Sequence, residues 1–215
     1  MDSEHTPQLA AHLESIHDGL RRHSPLTACD WQLASSSWHS SMAISNDGRT
    51  LTSLCGAEYP WAAATLLPTV GASCWRVHVD HANGEDGGIF LGVCDAEGLN
   101  AWGLELTEGM LFRMARTEMG RPVVRVAPPG WPNGHGKQIM TGNRGQRTGL
   151  RGDATGVVVE VRIDHADGAL TYRIDDGPQL HALSGFPPAT PMRPWASLYL
   201  SVDDRVTLEP VRPFY

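Results

Sequence analysis

Acidic side chains that could act in catalysis are few and scattered along this chain of 215 residues. A sandwich-type glycan hydrolase needs two carboxylates on one strand face, one acting as nucleophile or base and the other as acid. Glu105, within Trp-Gly-Leu-Glu-Leu, is a lone candidate without such a partner in the sequence. We therefore predict no catalytic residues and no enzyme activity, and glycan hydrolysis is the third alternative among the functions considered below.

Residue types that bind metals occur close together at His78, Asp80 and His81. On a strand, His78 and Asp80 share one face, but a closed site needs a third or fourth ligand that the sequence does not identify. We expect solvated residues at a strand end, with no metal and no cofactor. The pair Gly136-Lys137 lacks the earlier glycine and the following Ser or Thr of a P-loop, so no phosphate site is predicted.

A glycine- and proline-rich stretch, residues 128–152, is predicted to be a long loop. It contains Trp131, Arg144 and Arg147, and both residue types are common in interface hot spots. This loop is a secondary candidate site for an acidic or phosphorylated peptide. A solvated loop is the simpler interpretation for the arginines, and Trp131 could instead fold back to plug an open sheet edge.

The charge balance excludes several classes of partner. With 17 Lys+Arg against 24 Asp+Glu, the net charge is −7, so general nucleic-acid binding is disfavoured. No run approaches the roughly 20 apolar residues that span a bilayer, and the first thirty residues lack the apolar core of a signal peptide. We expect a cytoplasmic or nuclear protein with no membrane partner and with reduced cysteines.

The elements that must position any site are mostly strands. Apolar residues recur at helical spacing from Leu9 to Leu20, which predicts one short helix within residues 6–22. Residues 1–28 are therefore predicted to be a helical or flexible N-terminal extension, and residues 29–215 one β domain. In the segment 75–80, Trp75, Val77 and Val79 share one face, which is typical of a half-buried strand.

Hairpins are predicted where alternating segments flank turns that contain glycine: residues 42–54, 104–114 and 157–174. A fourth pair, 196–202 with 206–208, is predicted around the turn 203–205. The 23 glycines and 15 prolines exceed the usual shares of about 7% and 5%. Strands at this spacing favour two packed antiparallel sheets, an all-β sandwich.

Six segments follow one another in a recognisable order: Ala43–Thr52, Gly71–Asp80, Ile89–Cys94, Ala101–Leu106, Gly156–Asp164 with Gly168–Tyr172, and Pro194–Leu198 followed by Val206–Leu208. This order resembles that of the SPRY family, also called B30.2/SPRY-like. The resemblance implies a bent, concanavalin-like β-sandwich without catalytic residues. It also implies that loops at one end of the sandwich bind a protein or peptide.

From the strand order we expect three segments to converge at that end: residues 66–72, 95–100 and 202–205. Their side chains mix apolar and hydrogen-bonding groups, which suits a short extended peptide. The candidates are Pro68, Glu97, Leu99, Asn100, Val202, Asp203, Asp204 and Arg205. Ordinary solvated turns are the alternative explanation for these residues.

The sequence thus predicts a non-enzymatic protein-interaction module with a protein or peptide ligand. The main alternative is a carbohydrate-binding, lectin-like sandwich. That function would need aromatic platforms and paired Asp or Asn side chains near a groove or a calcium ion.

Overall fold

The computed structural model describes residues 30–33, 40–57, 60–83, 88–116, 122–123, 130–140, 154–200, 202–209 and 212–214. Within these ranges the chain forms β-strands and no α-helix, so no described helix could cross a membrane. The helix predicted within residues 6–22 lies outside the described residues.

Sheet I is antiparallel and contains eight strands. Its strand order is β1 (Gln32–Leu33), β4 (Trp61–Ala63), β14 (Met192–Tyr199), β6 (Gly88–Asp95), β7 (Asn100–Glu105), β8 (Met110–Arg116) and β10 (Lys137–Gln138), and β9 (Pro122–Val123) also pairs with β8.

Sheet II is antiparallel as well and also has eight strands. Its strand order is β13 (Gln179–Ser184), β12 (Ala169–Ile174), β11 (Val158–Asp164), β5 (Ala72–His81), β15 (Arg205–Leu208), β3 (Thr50–Ser53) and β2 (Met42–Ser45), and β16 (Arg212–Phe214) pairs with the first residues of β5.

The main core lies between the two sheets, and strand β5 shows how the sequence forms it. Trp75 is 2% exposed, and Val77 and Val79 are buried beside it. The alternate residues Arg76 and Asp80 are exposed on the outer face, because successive side chains of a strand point to opposite faces. The two-residue pattern predicted for this strand is confirmed.

A second apolar cluster covers the outer face of sheet I. Ile89, Leu91 and Val93 of β6 belong to the main core, whereas Phe90 and Cys94 belong to the second cluster. The other buried members of this cluster are Trp61, Ala63, Ala101, Met114 and Trp195. Strands β6 and β14 are consequently buried on both faces, which explains why β6 is a nearly continuous apolar run.

Residues 130–138 close one side of the sandwich. The Trp131 ring stacks on Trp102, with centroids 5.1 Å apart and planes at 8°, and the Trp102 Nε1 group donates to the Pro132 carbonyl at 2.9 Å. The Lys137 ammonium donates to the carbonyl of Ala182 in sheet II. Trp131 was predicted either to contact a partner or to fold back against the sheet, and the structure shows its ring packed against the sandwich.

Three of the four predicted hairpins are present, as β2 with β3, β7 with β8, and β11 with β12. The fourth is wrong: β14 lies in sheet I and β15 in sheet II, so the chain crosses between the sheets after β14. Alternation of side chains is the same whichever sheet a strand joins, and so it cannot distinguish a hairpin from a crossover.

Candidate functional site

The loops of the sandwich gather at two opposite ends. In sheet I, Met192 pairs with Asp95 at one end of β14, and Tyr199 pairs with Gly88 at the other. Seven steps of about 3.3 Å separate these pairs by about 23 Å. We call the Met192 side end A and the Tyr199 side end B.

Hydrogen bonds show which loops of sheet II belong to each end. At end A, Leu67 donates to Met192 of sheet I, and the His165 N–H donates to Gly71 beside β5. At end B, Leu200 donates to Ala57, and Ser53 of sheet II donates to Asp204. End A therefore comprises the loops 64–71, 96–99, 165–168 and 185–191, and end B the described loop residues 54–57, 82–83, 106–109, 175–178 and 202–204 together with Leu200.

The expected convergence of three segments at one end is wrong. Residues 66–72 and 95–100 lie at end A, but residues 202–205 lie at end B. The cause is the unrecognised crossover after β14, which carries the chain to sheet II without returning it to end A. The candidate residues thus form two separate groups.

At end A, a buried carboxylate shapes the turn between β6 and β7. Asp95 accepts hydrogen bonds from the Leu99 N–H at 2.7 Å and from the Asn100 N–H and side-chain amide at 3.0 and 2.7 Å. The Arg113 guanidinium donates to the Asn100 side-chain oxygen at 2.6 Å. Asn100 therefore holds the turn together, and it is Leu99, 50% exposed, that faces solvent.

The remaining end A candidates are not brought together with Leu99 by any described hydrogen bond. Glu97 is exposed on the same turn, whereas Pro68 is half-buried on the loop 64–71. That loop also exposes Leu66 and Val70. Among the described residues, no hydrogen bond joins this loop to the turn 96–99.

At end B, two loops form one hydrogen-bonded ribbon. The Ser53 N–H donates to the Asp204 carbonyl at 2.8 Å, and the Asp203 N–H donates to the Ser53 carbonyl at 3.0 Å. Further along, the Leu200 N–H donates to Ala57 at 3.1 Å. The ribbon exposes three apolar side chains, which we call the end B strip: Leu54 (48% exposed), Leu200 (37%) and Val202 (42%).

Asp204 is connected to the end B strip by hydrogen bonds through Asn83. Its carboxylate is buried and accepts a hydrogen bond from the Asn83 N–H at 2.6 Å, while the Asn83 side-chain amide donates to the Val202 carbonyl at 3.4 Å. Asp204 was predicted as a partner contact, but its burial makes it a positioning residue. Asp203 and Arg205 are exposed at the edge of the strip.

The strip has a strained backbone. Leu200 and Asp203 have φ angles of +52° and +67°, in the left-handed region that costs an L-residue roughly 1–2 kcal/mol. Asp203 and Asp204 both face Ser53, an arrangement similar to a G1 bulge, whose first residue is normally glycine. Such strain persists only where surrounding contacts hold it, and it is concentrated at functional sites.

The catalytic and metal candidates have structural partners. Glu105 is buried and accepts hydrogen bonds from the N–H groups of Thr107, at 2.8 Å, and Glu108. Its burial raises the pKa of this carboxyl. His78 Nε2 lies 2.6 Å from Glu209. Within the described part of the chain, no three His, Cys, Asp or Glu residues are grouped to hold a metal.

The secondary candidate loop is described only in part. Trp131 is half-buried against the core and stacked on Trp102, so its ring is not an exposed anchor. Arg144 and Arg147 lie outside the described residues.

Leu54 and Leu200 were missed because the predicted strands 50–54 and 196–202 extended over them, whereas β3 ends at Ser53 and β14 at Tyr199. Both leucines lie where an apolar segment is followed by turn-forming residues, and this position is the sequence signal that could have located them.

Comparisons with known proteins support the fold. No protein-family model and no curated protein sequence matches the chain. The SPRY domain of human HERC1 aligns with a TM-score of 0.54 and 15% identity, over 79% of this chain and 92% of that domain. The TRIM65 PSpry domain aligns with a TM-score of 0.50 and 17% identity, over 84% and 91%.

A carbohydrate-binding module, CBM66 from Bacillus subtilis, aligns more weakly, with a TM-score of 0.42 and 9% identity over 84% of this chain and 92% of the module. At such identities the comparisons establish the fold alone. This chain has the SPRY-type fold of two antiparallel sheets, as predicted from its sequence motifs.

Proposed function

We propose that this chain is a non-enzymatic interaction module that binds a protein or peptide through the end B strip. The supporting observation is that Leu54, Leu200 and Val202 are exposed on loops that hydrogen bonds hold together. A preorganised apolar centre with polar residues at its edge is the usual composition of a protein interface. Asp203 and Arg205 supply the polar edge.

The strip is favoured over end A because its apolar side chains are held in one unit. Leu99 is comparably exposed, but Leu66 and Val70 lie on a different loop. Rigid presentation matters because ordering loops during binding reduces affinity.

The two alternative functions gain no support from the described residues. Glu105, the hydrolase candidate, has its carboxylate engaged by backbone N–H groups of the following turn. A sugar-binding platform requires exposed aromatic rings, and every Trp, Tyr and Phe side chain that the structure describes is buried or half-buried.

The proposal is tested with two matched double variants in affinity purification from cells. Leu54→Ser/Val202→Ser alters the strip, and Leu66→Ser/Leu99→Ser changes similarly exposed leucines at end A. Because all four side chains are exposed, both variants should keep the wild-type free energy of unfolding to within about 0.5 kcal/mol per substitution.

We expect proteins that copurify with the wild type and with the end A variant to be lost from the strip variant. Retention of every partner by the strip variant, with loss from the end A variant, would reassign the site to end A. If no protein is enriched on the wild type over bare resin, the interaction function itself is contradicted.

A further inference from the structure

Charge is distributed unequally between the two ends of the sandwich. End B has seven described acidic residues and two basic residues, Arg205 and Lys137. The acidic residues are Asp80, Glu105, Glu108, Asp175, Asp176, Asp203 and Asp204. End A has four acidic residues and three arginines. They are Asp95, Glu97, Asp164, Asp167, Arg113, Arg162 and Arg193.

Four of these end B carboxylates have no ion-pair partner among the described residues. Asp80, Asp175, Asp176 and Asp203 form no ion pair with any described residue. Where they accept hydrogen bonds, the donors are neutral: Thr207 donates to Asp80 at 2.5 Å and the Val158 N–H donates to Asp175 at 2.8 Å.

The rest of the outer face of sheet II, further from end B than Asp80, provides the contrast. Glu160 lies between two arginines, 3.1 Å from Arg76 and 2.5 Å from Arg173, and Arg162 lies 3.1 Å from Asp164. Their charges largely cancel along the face. Among the described residues, the excess of negative charge therefore lies at end B.

We infer that the segment bound by the end B strip is a basic peptide, in which two or three apolar side chains are flanked by Lys or Arg. This inference rests on the proposed function of the strip and names its partner class. The apolar side chains would cover Leu54, Leu200 and Val202, and the basic side chains would lie over Asp80 and Asp203. Carboxylates of this kind repel phosphates, so a nucleic acid or an anionic lipid surface is disfavoured.

Charge of this type acts mainly on partner selection and on the association rate. Exposed charges are screened beyond about 8 Å at physiological salt. The inference therefore predicts an affinity that falls as salt is raised, whereas the apolar contacts alone would not produce such a fall.

The test uses random 12-residue peptides displayed on phage and selected on the full chain. Counter-selection on Leu54→Ser/Val202→Ser removes peptides that bind elsewhere. Enriched peptides are then synthesised, and their affinities are measured at 50 and 300 mM salt. The comparison proteins are the wild type, Asp80→Asn/Asp203→Asn, and the end A control Glu97→Gln.

Asparagine is chosen because it tolerates positive φ angles, so the backbone at Asp203 is kept. We expect enriched peptides with a net positive charge. Their affinity should fall about tenfold between the two salt concentrations and by roughly threefold to tenfold in the Asn variant, with no change in Glu97→Gln.

The two failures are distinguishable. Peptides that depend on the strip but carry no positive charge, or bind independently of salt, would overturn the basic-partner inference and leave the proposed function standing. If no peptide survives counter-selection, the proposed function is overturned with it.

Discussion

At the scale of single residues, buried and half-buried carboxylates act as caps where the chain leaves a sheet. Asp95, Glu105 and Asp204 are buried, and each accepts backbone N–H groups of a neighbouring loop. Asp164 does the same for the turn after β11, at 3.1 Å to the Ala166 N–H. These four acidic residues thus serve loop geometry, and the N–H groups in turn provide the hydrogen bonds without which a buried carboxylate is costly.

Asp204→Ala should destabilise the protein by about 1–3 kcal/mol, because it removes the buried carboxylate that accepts a charge-assisted hydrogen bond from the Asn83 N–H. Asp204→Asn keeps an acceptor oxygen and should cost less. The measurement is urea unfolding, with the exposed Asp176→Ala as control. Equal losses for Asp204→Ala and Asp176→Ala would contradict a supporting role for Asp204.

His165 should make stability depend on pH. Its ring is buried, its Nε2 atom has no hydrogen-bond partner among the described residues, and burial lowers the pKa of the imidazole. The unfolded chain therefore binds this proton more readily than the folded protein does. The free energy of unfolding should then fall as pH decreases below the ordinary histidine value of about 6.5.

The comparison is urea unfolding of the wild type and His165→Gln at pH 7.5 and pH 5.5. The other histidines contribute to both proteins, so their effect cancels in the difference. We expect the wild type to lose more stability than the variant on acidification. Equal losses would show that His165 does not carry the effect.

At the scale of elements, strands that bury one face could be predicted from the sequence, whereas strands buried on both faces could be predicted only in part. Strands β5, β11 and β12 bury one face, and their period-two patterns locate them well. Strands β6 and β14 are buried on both faces, so alternation does not mark their ends. Residues 196–202 were predicted where β14 occupies Met192–Tyr199.

Gly103→Ala should test how closely the second apolar cluster packs on sheet I. A Cβ at this position would collide with the Trp195 indole, which Trp61 contacts edge-on at 5.5 Å. Overpacking of this kind costs about 1–3 kcal/mol. In Gly103→Ala/Trp195→Leu, the smaller side chain should make the added methyl less costly than in the wild-type background. The free energies of unfolding are measured in urea. If the effects of Gly103→Ala and Trp195→Leu simply add in the double variant, the proposed collision is contradicted.

At the scale of the whole molecule, the candidate site depends on which sheet each strand joins. Val202 and Asp203 could be located because turn residues interrupt the chain there. The large distance of Val202 and Asp203 from Leu99 could not be predicted. That distance is set by strand pairings between residues remote in sequence, such as Ser197 with Trp61. No local pattern encodes such a pairing, and so the residues of two ends were predicted as one surface.

These remote pairings also connect every part of the described chain. Strand β5 pairs with β11 on one edge and with β15 and β16 on the other, while β4 of the first half pairs with β14 of the second. Tyr172 of sheet II donates to the Leu91 carbonyl of sheet I at 3.0 Å. Neither half of the chain contains a complete sheet.

Residues 29–215 should therefore unfold as one cooperative unit, as the sequence predicts for a single domain. Trp75 reports on the core between the sheets and Trp195 on the outer face of sheet I. In separate Trp75→Phe and Trp195→Phe variants, fluorescence and far-UV circular dichroism should give coincident urea transitions. Loss of one signal before the other would mean that sheet I and sheet II separate into independent units. If the two transitions coincide, the two sheets unfold together. A substitution that destabilises end A would then expose end B only by unfolding the whole domain.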